Sequence, residues 1–291
     1  MKPDARLLDK LAAARYRLNR ARPSVGVGDR RSTAKGAGME FAAHRPYREG
    51  DDVRHLDLRL LARLGENYIR EYFVDRQVPV YVILDASRSM CSGRPEKYPF
   101  AAKLAQLFGF LALTSGDRVQ MGVYADGRLN WSPRLQGANR AEILFGWVVE
   151  LKPGGAAPFS AALRQANHDM VPSALVVLVS DFLDENLAKP LAALSEAGHD
   201  MIAVHVASPE EMDPAVLGNG PVRLHDAETG EDIEITLTRD MADGYRAAFA
   251  AFQDKLREAV RRGQGRYFCL KSDADVERFI LRDLKSAGLI I

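Results

Sequence analysis

VPVYVILDASRSM (78–90) decides the fold. Residues 78–84 form a near-continuous apolar run, with Pro79 close to the start, where a strand tolerates one. An apolar run of this length without polar alternation reads as a strand buried on both faces, the kind found in parallel sheets. The run ends in Asp85, with Ser87 and Ser89 following at alternate positions. In open parallel sheets, ligands sit beyond the carboxyl ends of the strands. The pentapeptide alone leaves two readings open. It is the mouth of a metal site, or a loop whose Asp and Ser satisfy backbone donors ahead of the next helix.

The same kind of strand recurs downstream at 174–179 and 201–206, and a further strand is expected at 118–124 with 128–131 placed to pair with it. Helices are expected at 98–115, 139–150, 160–170 and 186–197. Apolar strands alternating with helices of this length imply an α/β fold, a mostly parallel sheet with helices on both faces. Upstream, 4–20 reads as an amphipathic helix carrying Leu7, Leu8, Leu11, Ala14, Tyr16 and Leu18 on one side. Residues 21–50 read as irregular chain with short strands, 57–64 as a short helix and 68–74 as a strand. After residue 207 the pattern changes. Segments 222–225 and 233–237 flank AETGED and suggest a hairpin, 239–262 a long helix, 266–270 a strand, and Ser272 the cap of a last helix with Val276, Phe279 and Ile280 inward. The expected organisation is 1–76, then an α/β domain over 77–207, then 208–291, with the flanking parts forming a partly β accessory layer.

Composition restricts the function classes. Across 291 residues the formal net charge is +1, so no bulk field favours nucleic acid or a membrane surface. Residues 1–76 nevertheless hold 17 Lys/Arg against 11 Asp/Glu, and the remainder 23 against 28. A basic end beside an acidic body suits a polyanionic partner or internal pairing, and internal pairing is the favoured reading. Two cysteines in so long a chain make no disulfide framework, which points to a reducing compartment. No apolar run reaches the ~20 residues needed to span a bilayer, and the start of the chain lacks an apolar h-region, so a cytoplasmic protein is expected. There is no phosphate-binding P-loop, no His-Glu-x-x-His, no Cys-x-x-Cys and no Gly-x-Ser-x-Gly elbow. His205 falls inside a strand and reads as a satisfied core residue.

Asp181 tips the reading of the first loop. It follows the apolar stretch Leu175–Ser180, so two strands deliver carboxylates to one rim. Carboxylate plus hydroxyl oxygens suits a hard divalent cation, above all Mg²⁺ and in principle Mn²⁺ or Ca²⁺, which keeps waters or an open position for an acidic side chain of a partner.

Asp85-x-Ser87-x-Ser89 with a later strand-end Asp181 resembles the metal-ion-dependent adhesion site of von Willebrand factor type A domains. The preceding stretch, GAGMEFAAHRPYREGDDVRHLDLRLLARLGENYIREYFVDRQVPVYVILDASRSM, is similar to the signature of a bacterial family, domain of unknown function 58. Gly36, Gly38, Glu40, Phe41, Arg45, Tyr47, Gly50, Asp51, Asp52, Arg54, Asp57, Ala62 and Arg63 match that signature in register, as does a C-terminal hairpin with Asp226, Glu228, Thr229 and Gly230. The resemblance implies a von Willebrand A-like (Rossmann-like) fold and an adhesion site of Asp85, Ser87, Ser89 and Asp181. It also implies a non-enzymatic adaptor that works with a MoxR-type AAA+ ATPase on client proteins in remodelling or maturation. Two departures stand out. Leu58 replaces a tryptophan, a packing change. The family's Gly-Gly-Thr loop reads KPGGAAPFS (152–160), with Ala156 and Ala157 where the threonine ligand is expected and Ser160 as the nearest substitute hydroxyl.

The Arg/Asp signature (Arg45, Tyr47, Gly50, Asp51, Asp52, Arg54, Asp57, Arg63) reads as an ion-pair scaffold before it reads as a docking face. Two alternatives to the metal-bearing adaptor remain at this level. One is a metal-dependent hydrolase or nuclease using Asp85 and Asp181, which lacks an evident general base. The other is a metal-free interaction module.

Overall fold

A computed structural model describes residues 3–12, 14, 16, 39–48, 53, 56–74, 78–225 and 231–290. In chain order its elements are α1 (Ala5–Ala12), β1 (Met39–Pro46), α2 (Leu58–Leu64), β2 (Tyr68–Val74), β3 (Pro79–Asp85), α3 (Lys97–Thr114), β4 (Arg118–Ala125), β5 (Arg128–Trp131) and β6 (Leu135–Gln136). Then follow α4 (Ala141–Glu150), α5 (Phe159–Asp169), β7 (Leu175–Ser180), α6 (Ala188–Glu196), β8 (Asp200–Ala207), α7 (Pro209–Met212), β9 (Gly220–His225), β10 (Asp232–Leu237), α8 (Arg239–Arg262), β11 (Arg266–Lys271), α9 (Val276–Arg278) and α10 (Leu284–Ser286). They form two compact units, residues 21–77 and residues 1–20 with 78–291.

In the larger unit a seven-stranded sheet runs β11-β8-β7-β3-β4-β5, with β6 also paired to β4. The β11/β8, β8/β7, β7/β3 and β3/β4 pairs are parallel, whereas β5 and β6 run antiparallel to β4. With β6 set aside and the strands renumbered within the unit, this is the doubly wound order 3-2-1-4-5-6, and the order reverses between β3 and β7. The arrangement is the mostly parallel, von Willebrand A-like fold expected from the sequence.

The apolar run of β3 explains why that strand lies at the centre. Side chains alternate across a strand. Val80, Val82 and Leu84 join a core shared with α1, α3, α4 and the C-terminal helical segment, while Tyr81 and Ile83 join a second core shared with α5, α6 and α8. In β7, Val177 and Val179 face the first core and Val176 and Leu178 the second. Each fully buried Val, Leu or Ile contributes about 1.5–3 kcal/mol, so both faces of these two strands add to stability. Helix α3 is apolar nearly all round and is accordingly buried along most of its length.

Two expectations need correction. The first helix, expected over 4–20, ends at Ala12. Tyr16 instead makes a β-bridge with Ile290 and its hydroxyl donates to the Phe108 carbonyl (2.9 Å), which pulls the chain out of helical geometry onto α3. Ser272 does not cap the last helical segment. Its N–H still bonds the Ala207 carbonyl beside the sheet and its hydroxyl donates to the Pro95 carbonyl (2.7 Å). The cap is Asp275, whose carboxylate accepts from the N–H groups of Glu277 and Arg278 at once.

In the smaller unit β1 and β2 pair antiparallel with a register shift between Phe41 and Ala43, and α2 follows Asp57. Among the described residues no helix is long and apolar enough to cross a membrane. Cys91 and Cys269 are free thiols.

Candidate functional site

The carboxyl ends of β3 and β7 flank the point where the strand order reverses, and Asp85 and Asp181 are delivered there. Asp85 closes β3 on the face of Tyr81 and Ile83. Its two oxygens have different partners: Oδ1 accepts the Ser87 N–H (2.9 Å) and Oδ2 the Ser180 hydroxyl (2.6 Å). Ser180 in turn accepts the Phe182 N–H (2.9 Å). One hydroxyl thus ties the ends of the two central strands together. Residues 88–91 then make a single 3₁₀ turn. The Ser87 and Ser89 hydroxyls come within 3.1 Å of each other, as alternate positions of an extended turn allow.

The loop is held from both sides by backbone. The Ala86 N–H donates to the Tyr124 carbonyl (2.8 Å), the Gly154 N–H to the Ala86 carbonyl (2.8 Å) and the Arg88 N–H to the Gly155 carbonyl (2.9 Å). The 152–160 loop therefore lies against the Asp85 loop, as the adhesion-site resemblance implies. Gly155 has φ +81°, and a Cβ there would stand 2.6 Å from the Asp126 Cα. Only glycine permits this approach.

Asp181 is paired differently. Its Oδ2 accepts the Lys97 ammonium (2.8 Å) and its Oδ1 a longer bond from the Leu183 N–H (3.3 Å). Lys97, the first residue of α3, has no exposed surface. It reaches a second carboxylate, Glu211 Oε1, at 2.5 Å. Glu211 belongs to the Ser208–Glu211 capping box of α7, where its other oxygen accepts the Ser208 N–H (2.8 Å). Sequence reasoning missed Lys97, Ser180 and Glu211. The Ser208-x-x-Glu211 pattern and a lone Ser at the end of an all-apolar strand were visible signals. The pairing of Lys97 with residues 84 and 114 positions away was not.

The electrostatics follow from burial. Desolvation, then the negative charge of Asp181, pushes the Asp85 carboxyl well above the carboxylate range, to about 7, although Ser180 and Ser87 act the other way. Burial works against the Lys97 ammonium, but Asp181 and Glu211 more than offset it and hold the group above its ordinary value. His205, also buried, falls to about 4 through desolvation, and its Nδ1 lies 2.7 Å from the Tyr267 hydroxyl. The Tyr124 hydroxyl, next to β3 at the register position of Asp85, is buried without a hydrogen-bond partner.

The donors fit a hard dication. Asp85, Ser87 and Ser89 are all oxygen ligands, and a 3.1 Å separation of two hydroxyls is close to the ~2.9 Å edge of an octahedron with ~2.0–2.1 Å bonds. With every group ionised, Asp85, Asp181, Glu211 and Lys97 carry a net charge of −2, in a cluster where only Glu211 is partly exposed. No three His, Cys, Asp or Glu side chains among the described residues group as a metal cluster. Ser160 has its backbone N–H on Asp184 Oδ2 (2.7 Å), and its hydroxyl bonds the same carboxylate. Ala156 is exposed and Ala157 packs against the second core.

Of the signature residues, Asp57 is buried and N-caps α2. Its Oδ1 accepts from Arg59 (2.9 Å) and Leu60 (3.3 Å), and its Oδ2 lies 2.8 Å from His44 Nε2. The Tyr47 N–H donates to the Asn67 carbonyl (2.8 Å), Arg63 is exposed, and Arg45 lies in β1. Gly50, Asp51, Asp52 and Arg54 lie outside the described residues, as do Gly36, Gly38 and the hairpin residues Asp226, Glu228, Thr229 and Gly230.

A family model described as "Protein of unknown function DUF58" matches residues 43–259. The uncharacterized protein Rv1480 of Mycobacterium tuberculosis is 25% identical over 287 residues, which cover 95% of this chain and 90% of that protein. Among solved structures, BatB from Bacteroides thetaiotaomicron aligns with a TM-score of 0.45 at 19% identity, over 72% of this chain and 98% of the other. An aerotolerance-related membrane protein from Bacteroides fragilis aligns with a TM-score of 0.46 at 19% identity, over 72% and 99%.

Proposed function

The chain belongs to the DUF58 family, and from that premise we propose that it is a non-enzymatic protein-interaction module whose recognition site is the rim at the ends of β3 and β7. In this reading Asp85, Ser87 and Ser89 hold one divalent cation, Mg²⁺ first, with Asp181 behind them. The bound ion supplies a positive charge for an acidic side chain of a protein partner. Ser180 and the Ser87 N–H orient the Asp85 carboxylate, and the Gly154–Gly155 backbone fixes the loop that presents the hydroxyls. The observation that carries the reading is the burial of Asp85 beside the charge of Asp181, with two hydroxyls 3.1 Å apart next to it. Two neighbouring buried carboxylates are costly unless a proton or a cation lies with each; Lys97 lies with Asp181, and the proposed ion would lie with Asp85. The partner implied by family membership is a MoxR-type AAA+ ATPase, with client proteins downstream. The two free thiols suit a reducing, cytoplasmic setting.

The test is titration calorimetry with Mg²⁺ and Mn²⁺ on the wild type and Asp85→Ala, joined to affinity purification of partners with the same pair. Ion binding and partner recovery that are both lost in Asp85→Ala support the reading. Identical partner sets from the two proteins overturn it. Turnover of generic phosphoesters with Mn²⁺ that disappears in Asp85→Ala replaces it with a metal-dependent hydrolase.

A further inference from the structure

We propose that Lys97 is the built-in counter-cation of this rim and sets how tightly the rim takes a divalent ion. The inference rests on the metal-bearing reading above. A lysine with no exposed surface is rare unless paired, and here both its partners are carboxylates, at 2.8 Å and 2.5 Å. Asp181 belongs to the rim, whereas Glu211 reaches the same ammonium from α7. Lys97 therefore takes one oxygen of Asp181 and places a fixed positive charge behind the ligand set, and Glu211 partly cancels that charge.

The arrangement turns into a charge count. With every group ionised, as an ion on Asp85 requires, Asp85, Asp181, Glu211 and Lys97 leave −2, which one dication neutralises. Removing the ammonium gives −3 and removing the Glu211 charge gives −1. Removing both restores −2. A unit charge a few ångströms from a buried ionic site shifts its ion affinity by roughly tenfold or more. Lys97→Met should bind Mn²⁺ at least about tenfold more tightly than the wild type. Glu211→Gln should bind it about tenfold more weakly, and the double variant should return near the wild-type value. Gln preserves the capping box at this position, so Glu211→Gln keeps α7 in place. A lysine with only a structural role predicts the opposite for Lys97→Met, an equal or weaker affinity.

The experiment is calorimetric Mn²⁺ titration of the four proteins, each the whole 291-residue chain, after chelation, with circular dichroism as the check on folding. If Lys97→Met does not fold without metal, Glu211→Gln against wild type decides alone. The order Lys97→Met above wild type and double variant, above Glu211→Gln, supports the proposal. Equal affinities in wild type, Glu211→Gln and any folded Lys97→Met overturn it while leaving the metal-bearing rim intact. Binding by Lys97→Met and not by wild type supports the role of Lys97 and overturns an ion at the wild-type rim. No binding by any of the four overturns both.

Discussion

The Lys97 ammonium donates to Asp181 across 2.8 Å, and both side chains are buried. Breaking such a pair leaves an uncompensated carboxylate in the interior, and the cost of that exceeds the worth of the intact pair. Lys97→Met should lower the unfolding free energy by about 3–5 kcal/mol in metal-free buffer, measured by urea denaturation. Glu211→Gln, at a partly exposed position, should cost far less. A loss below 1 kcal/mol in Lys97→Met is the result that contradicts this.

Ser180 links β3 to the loop after β7 through two bonds, one to Asp85 and one from Phe182. Ser180→Ala removes a donor from a buried carboxyl and orphans a buried N–H. A loss of about 1–3 kcal/mol is expected. The same variant should weaken divalent binding, since the Ser87 N–H on Oδ1 is then left to orient the Asp85 carboxylate without the Ser180 hydroxyl on Oδ2. Thermal melts with and without Mn²⁺ report both effects.

His205 carries a pH dependence. It is buried among Phe182, Phe249, Phe252 and Tyr267, with the charges of Asp181 and Lys97 nearby. Its folded pKa is depressed to about 4 from 6.5. Below pH 6.5 the unfolded chain takes up a proton that the folded protein refuses until about pH 4. The stability due to neutral His205 is therefore complete above 6.5 and is lost as pH falls toward 4. Between pH 7 and pH 5 this amounts to about 2 kcal/mol. His205→Gln should flatten the stability profile in that window by this amount, and an unchanged slope refutes the assignment.

Gly155 lets the 152–160 loop reach the Asp85 loop. In Gly155→Ala a Cβ meets the Asp126 backbone at 2.6 Å, and a positive φ disfavours any L-residue. The variant should lose about 2 kcal/mol or more of stability and weaken divalent binding, because the carbonyl that holds the Arg88 N–H moves. An intact melting temperature with unchanged ion affinity runs against this.

The sequence by itself determined the elements. Apolar runs at 78–84 and 174–179 with helical periods between them imply a covered parallel sheet, and β3, β7, α3 and α8 fall within a residue or two of where they are expected. It also marked Asp85, Ser87, Ser89 and Asp181, since a strand-end carboxylate is a local feature. Local patterns fail where long-range contacts decide. Tyr16 leaves its helix for Ile290 and the Phe108 carbonyl, and Ser272 stays with the sheet while Asp275 takes the cap. Only the tertiary structure decided what stands behind the rim. Lys97 begins a helix in a way that looks solvated, and Glu211 looks like half of a capping box. Their meeting with Asp181 depends on how α3 and α7 stack against the ends of β7 and β8, because a buried charge takes the partner that packing brings within about 3 Å.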